Sequence, residues 1–525
     1  MQEDTLKEDE NLSGLKKILG DYDGKIFYPV IGVLILIGLF LFIDAKATQK
    51  VFDSINHWLI FNFSWGFLLG IASVVAFAIW VGFSKYGSLR LGKVDDRPEF
   101  SFMAWVAMMF SAGFGLSTLM WCAAEPLYHL YQSSHTIDAG TAGTGAGIPR
   151  AMLQTWFDWG IHGWALFAVG GLAIAFPAYR KDKPMNLGIG LYGILKDKSQ
   201  TGFWGKLVDV LGVISTLGGN GASLGFGVLA IVYGIKHITG IDLGSGGTII
   251  AMVVIIALFT LSAVSGVARG IKYLSLINIY LGIAMAVFLL FAGPTNFILN
   301  LFTQTFGEYV GGIVSLSFWA DAGNFKDGVY QQRSWLNWWV IFYWLWWVSY
   351  IPFCGGFIAR ISRGRTIREY ILGTTIVPVL MTMVLFCIWG GNSAYLEVTG
   401  AAPMWENVQK DFGSTLYVLL DNFPMGGLLS ILVFFSIVTF GITTSDSASY
   451  FISMQVSRGN LNPKIAMRVL WGCILGGIGV ILVASGSLNA IKAMAIVVGA
   501  PFFVVVIAYM VSIVKMLRMA DRGEM

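Results

Sequence analysis

Apolar runs long enough to cross a bilayer recur along almost the whole chain. They fall near residues 27–45, 58–84, 102–124, 151–178, 207–235, 247–267, 273–293, 336–360, 370–392, 424–453, 465–486 and 493–514, with short polar stretches between them. The pattern predicts an all-α polytopic membrane protein with twelve transmembrane helices. Residues 297–320 are different: rich in Gly and Phe but amphipathic, they predict a helix lying along the outer interface without crossing it. The domain reading that follows is a cytoplasmic N-terminal tail at 1–26, a transmembrane domain at 27–516 and a short cytoplasmic tail at 517–525. The first apolar run is long and lacks a small-residue cleavage site, so no cleavable signal peptide is expected.

Composition sharpens this picture. Of the 525 residues, 56% are hydrophobic and 12% charged, with mean hydropathy +0.71, which excludes a soluble multidomain protein. Loop charge sets the orientation. With the N-terminus inside, the cytoplasmic segments hold 26 of the 34 Lys and Arg residues and the outer segments the other eight. That asymmetry obeys the positive-inside rule and predicts a multi-pass plasma (inner) membrane protein with both termini cytoplasmic. The net charge of +4 is spread over short loops and suggests no nucleic-acid partner. Cys122, Cys354, Cys387 and Cys473 all fall in apolar segments and read as small buried side chains, without a disulfide or metal role.

Chemistry concentrates between Trp335 and Phe353, where six tryptophans share one apolar segment interrupted by Pro352. Trp faces hold cations best, and several together suit a quaternary ammonium. A broken, cavity-lining helix is how transporters build a site at the bilayer midplane. Spans three and eight each pass from an apolar run into a break, at Gly113-Phe-Gly115-Leu-Ser117 and at Ser349-Tyr350-Ile-Pro352. Five spans apart, they would enter from opposite sides, as in two inverted five-helix repeats (spans 3–7 and 8–12) preceded by two extra spans.

Phe342-Tyr-Trp-Leu-Trp-Trp, followed by Phe357-Ile-Ala-Arg-Ile-Ser-Arg-Gly-Arg-Thr-Ile-Arg-Glu369, resembles the signature of the betaine/choline/carnitine transporter family. Met108-Met-Phe-Ser-Ala-Gly-Phe-Gly, Ala124-Glu125-Pro126, Trp159 to Trp164 and Thr443-Thr-Ser-Asp446-Ser-Ala-Ser449 extend the resemblance over nearly the whole chain. It implies a LeuT-like secondary transporter, a homotrimer in the lipid bilayer, carrying trimethylammonium-type solutes by alternating access. The implied cage is Trp159, Trp164 and Phe167 from span four with Trp346, Trp347 and Tyr350 from span eight; the family more often has Tyr for Phe167 and Trp for Tyr350. Helical spacing puts Trp159, Trp164 and Phe167 roughly on one face at two levels. Phe114, Gly115 and Ser117 would take the other end of the solute, since glycines let a helix unwind and expose N–H groups to a carboxylate. A neutral serine, where an acid would favour a bare cation such as choline, fits a zwitterion.

The resemblance also maps a sodium site onto the carbonyls of Ser111, Phe114 and Phe440 with the hydroxyls of Thr443 and Thr444, and a second onto Thr216 and Asn220. The alternative reading of Thr443 and Thr444 is that they bond back to their own helix. Other charges are candidates because burying them is costly: Glu125 and Asp446 to hold helices or gates, Asp158 to face the outer vestibule or titrate. His57, His129, His135, His162 and His237 lack metal-ligand spacing, and packing is the better reading of His162. Gly140 to Gly147 lacks the Lys-Ser/Thr of a phosphate cradle and reads as a gate loop. No nucleophile–base pair and no cofactor motif is present, so an enzyme is not expected. The sequence therefore predicts sodium-coupled uptake of a glycine betaine-like solute. The alternatives are proton-coupled or exchange transport of choline, carnitine or another substituted amine or sulfonate, and, from a different class, a channel or solute sensor.

Overall fold

The computed structural model describes residues 14–113, 118–132, 135–138, 140–265, 268–331, 334–484 and 488–525. Helices dominate: α1 (Gly24–Ile43), α2 (Ala45–Phe83), α3 (Phe102–Gly113), α4 (Thr118–Tyr131), α5 (Ile148–Trp159), α6 (Ile161–Arg180), α7 (Phe203–Thr239), α8 (Gly244–Ser265), α9 (Ala268–Ala292), α10 (Thr295–Ser317), α11 (Phe342–Tyr350), α12 (Gly356–Ile361), α13 (Ile367–Val398), α14 (Gly426–Val456), α15 (Ile465–Ala484) and α16 (Leu488–Asp521). Among the described residues, seven helical segments are long and apolar enough to cross a membrane, or nine if each of two bent pairs counts as one span. The bent pairs are α3 with α4, inclined at 66°, and the end of α9 with α10, inclined at 108°. Three shorter apolar helical stretches lie within α1, α8 and α15. The chain is thus a helical polytopic membrane protein.

Burial sorts these helices. In the segments 145–180 and 337–361, 94% of the most apolar window is buried inside the protein, against 39% in α14 and 44% in α2. The first two therefore form the centre. The outer helices turn large apolar side chains outward, among them Ile35, Leu39, Phe40, Trp58, Trp65, Ile250, Val254 and Phe291. An apolar surface of that extent is stable only against lipid tails.

Sequence and structure differ in three local features. Pro352 does not unwind the eighth span. Residues 337–341 and 351–355 are π-helical, and 337–361 runs on as one helix. The wider turn absorbs the missing proline N–H without a gap in the backbone. The break appears instead in the fourth span, at Gly160 (φ −88°, ψ −142°), between α5 and α6. There Tyr309 of α10 accepts a hydrogen bond from the N–H of Ile161 at 3.1 Å, and a side chain on residue 160 would strike that phenol. Finally, Cys473 is exposed rather than buried.

The loop after α12 is pinned by a buried cation. Arg365, 2% exposed, donates to the carbonyl of Phe100 at 2.9 Å, bonds Glu369 one turn on, and lies 4.1 Å over the Trp105 ring. Removing one partner of such a pair costs about 3 kcal/mol or more. Arg365→Met is expected to lower the melting temperature in detergent clearly, whereas Arg363→Met, whose half-exposed side chain pairs with Asp96 at 3.1 Å, should change it little.

Candidate aromatic solute site

The centre of the molecule holds a small cavity of about 30 Å³, lined by Gly113, Thr118, Trp159, Phe167, Ser223, Trp346, Trp347 and Tyr350. Its walls come from both central segments. Trp346 and Trp347 are neighbours on α11 and splay to either side of it. Trp159 stands edge-on to both, with ring centroids 6.0 Å and 5.8 Å away. Phe167 meets Trp347 at 5.1 Å, and Tyr350 meets Trp346 at 6.2 Å. These are the offset and edge-to-face arrangements that aromatic quadrupoles prefer, and they leave ring faces available to a cation.

Each ring is fixed from behind. Trp159 Nε1 donates to Glu125 Oε2 at 2.7 Å, Trp347 Nε1 to the Asp158 carbonyl at 3.1 Å, and Trp346 Nε1 to the Gly219 carbonyl at 3.3 Å. Glu125 also accepts from the Tyr343 hydroxyl. One carboxylate thereby ties α4 to the end of α5 and to α11. Gly163 permits the approach of Trp347, because a Cβ there would overlap its ring.

Trp164 takes a different place from the one its spacing suggests. The break at Gly160 rotates it away from Trp159, and it packs parallel to Phe110 at 6.1 Å and edge-on to Phe167 at 5.8 Å. It backs the cavity without lining it. Trp335 and Trp339 are 6% and 3% exposed and pack inside, away from the cavity. Phe114, Gly115 and Ser117 lie outside the described residues, flanked by Gly113 and Thr118 of the cavity wall.

Of the mapped sodium ligands, Thr443 donates to the carbonyls of Thr439 (3.0 Å) and Phe440 (3.2 Å), so its hydroxyl and the Phe440 carbonyl are adjacent. Thr444 and Ser111 are half-buried. In the second set, Thr216 donates to Gly212 at 2.8 Å and Asn220 Nδ2 to the Thr216 carbonyl at 3.0 Å, while the buried Asn220 Oδ1 accepts no hydrogen bond. His162 is a packing residue, 2.9 Å from Ser317 Oγ and stacked on Trp344 at 4.5 Å.

Two buried features escaped the pattern of the sequence. Asp158 does not face a vestibule; it is fully buried beside Glu125 and His129. The signal was present in the one-turn spacing of Glu125 and His129, but nothing in sequence distance joins them to Asp158. Lys492 is 6% exposed, its Nζ 3.1 Å from the Trp338 carbonyl and 4.2 Å from the Trp339 ring centroid. By the spans it counts among the eight basic residues of the outer segments, and the structure buries it.

A second cavity of about 510 Å³ begins one turn beyond Tyr350. Phe353, Gly356, Arg360, Asp446, Tyr450 and Arg468 are in its wall, and Arg468 meets Asp446 at 3.3 Å. A small aromatic chamber and a wider cavity lined along the same helix, inside a polytopic helical membrane protein, suit a solute carrier.

Sequence comparison agrees. The family model for betaine/carnitine/choline family transporters matches residues 25–522, and the chain belongs to that family. It is 37% identical to the glycine betaine transporter OpuD of Bacillus subtilis, over 95% of both chains. It is 33% identical to an ectoine/hydroxyectoine transporter of Virgibacillus pantothenticus, over 95% of this chain and 97% of that one. A glycine betaine/proline/choline/ectoine transporter of Vibrio parahaemolyticus is 32% identical, over 94% and 87%. The protein is therefore a membrane transporter of the betaine/carnitine/choline family, and it is not an enzyme.

Proposed function

We propose that this protein takes up a zwitterionic methylammonium solute, glycine betaine or a close relative, driven by sodium and working by alternating access. The observation that carries the reading is the cavity between Trp159, Trp346, Trp347, Phe167 and Tyr350. Five aromatic residues dominate its lining, beside Gly113, Thr118 and Ser223, with no carboxylate among the described residues, which favours a cation that brings its own anion. The name of OpuD supports glycine betaine.

Sodium is read as the co-substrate. It would be held by Thr443, Thr444 and the carbonyls of Ser111, Phe114 and Phe440, with Thr216 and Asn220 as a second set. The adjacency of Thr443 Oγ1 to the Phe440 carbonyl and the unbonded Oδ1 of Asn220 support these positions. Twelve spans, a LeuT-like repeat, cytoplasmic termini and a homotrimer complete the reading. They rest on the resemblance and on loop charge.

The test is uptake of labelled glycine betaine into liposomes with and without an inward sodium gradient. Accumulation above equilibrium only with the gradient is expected. Uptake that ignores sodium overturns the coupling and keeps the cavity; no uptake by folded protein overturns the solute.

A further inference from the structure

Behind the aromatic wall stands a buried polar cluster that sodium-driven uptake leaves unused. Glu125 and His129 lie one turn apart on α4, and Asp158 closes on them from the end of α5. One ligand atom from each lies within 4.8 Å of the others, and all three residues are fully buried. His129 Nε2 is 3.3 Å from Glu125 Oε1 and 3.3 Å from Asp158 Oδ2. Hydrogen-bond donors are unevenly shared. Trp159 and Tyr343 both donate to Glu125 Oε2, and Gln154 Nε2 donates to Asp158 Oδ1 at 3.1 Å. Asp158 Oδ2, aimed into the cluster, accepts no hydrogen bond.

Two carboxyl groups so close and so dry repel when both are charged, and one proton shared between them relieves that repulsion. The donors gathered on Glu125 favour the charge there. The bare Oδ2 of Asp158 is the atom left to carry the proton. From α16, Lys492 is the cation facing the cluster, held by the Trp338 carbonyl and the rings of Trp339, Phe342 and Trp121 at 4.2, 4.9 and 5.2 Å. Farther along the chain, His135 is stacked on Trp319 at 3.9 Å and meets Trp335 at 5.2 Å.

The geometry points to a proton-binding site at Glu125, His129 and Asp158, with solute ammonium and proton in competition across the Trp159 indole. The competition rests on the reading of the aromatic cavity as an ammonium site. Trp159 belongs to both places: its ring faces the cavity and its N–H lies on Glu125. Trp347 repeats the link through the Asp158 carbonyl. An ammonium on these rings raises the positive potential at the cluster. The O–H bond at Asp158 Oδ2 breaks, the proton leaves to water, and the carboxylate remains beside the His129 ring. Linkage is reciprocal, so a bound proton weakens solute binding by the same factor. The sign is therefore fixed: solute releases a proton, and solute affinity rises with pH while the site titrates, by at most about tenfold per pH unit for one proton.

Infrared spectra of the protein in liposomes, recorded without solute over a pH series, test the proton site. A protonated-carboxyl band that fades as pH rises is expected. It should be missing from Asp158→Asn and persist in Asp209→Asn, a buried carboxyl elsewhere that accepts from the Gly188 N–H at 2.8 Å. If Asp158→Asn does not fold, Asp158→Glu should shift the band instead. A spectrum with no titrating band that follows residue 158 overturns the site, whatever the solute does. Glycine betaine affinity at fixed sodium is then measured over the same pH range. A rise with pH in the wild type and a flat line in Asp158→Asn support the competition; a pH-independent wild type overturns it. Failure of glycine betaine to bind at any pH sinks the cavity reading, and the competition with it, while the band still decides the proton site.

Discussion

Trp347→Ala is expected to abolish solute binding by protein that remains folded. The residue contributes a ring face to the cavity, borders Phe167 and Trp159, and is oriented by its bond to the Asp158 carbonyl. A desolvated cation–π contact is worth about 2 kcal/mol or more. The cavity that truncation leaves loosens the other rings as well. Together these exceed a hundredfold in affinity at about 1.4 kcal/mol per factor of ten. Losing a buried Trp also costs about 3–5 kcal/mol of stability, so binding should be compared at a temperature where both proteins elute as folded species. Trp347→Phe separates the contributions: it keeps a face, drops the N–H and is expected to weaken binding by roughly tenfold. Unchanged affinity in Trp347→Ala would remove the residue from the site. Calorimetric titration of glycine betaine into purified protein makes the measurement.

The second large effect is expected from replacing Thr443 and Thr444 together by alanine. If their hydroxyls help to coordinate sodium, the double variant loses the sodium dependence of solute affinity, and gradient-driven accumulation falls by at least tenfold. Coupling free energies between co-transported ligands are commonly about 1–3 kcal/mol, and removing ion ligands removes that term. Thr443 now bonds back to Thr439 and Phe440. A purely helical role for it predicts the opposite: intact sodium dependence with a small loss of stability. Affinity measured across a sodium series distinguishes the two.

Much of the architecture was legible in the chain because membrane insertion leaves few choices. Apolar length marks helices, and the amphipathic stretch after α9 marked the helix that turns by 108°. The density of indoles pointed to Trp346 and Trp347, and the structure brings them with Trp159 to one cavity, while Trp335, Trp339 and Trp344 of the same segment serve packing. Local backbone was harder to read. Proline announces a disturbance but not its form, and two π-helical stretches took the place of a break. Gly160 is an ordinary glycine in sequence; only the Tyr309 phenol packed against it marks the break between Trp159 and Trp164. The Glu125–His129–Asp158 cluster was illegible for a similar reason. Glu125 and His129 share a face of α4, but Asp158 joins them only when α5 packs there, and a lone histidine in an apolar run ordinarily means packing.

The unequal cavities bear on the order of events in a transport cycle. Tyr350 closes the chamber of about 30 Å³, and Phe353, three residues on along the same helix, stands in the wall of the space of about 510 Å³. A solute passing that turn would exchange ring faces for a space wide enough to hold water. Escape toward the larger space therefore requires side-chain rotation, whereas return requires the solute to be stripped of water again. In such a carrier Phe353, which lies outside the cage, would bear on the dwell time of the loaded state, and its substitution should alter turnover before affinity, whereas substitution of Tyr350 should alter both.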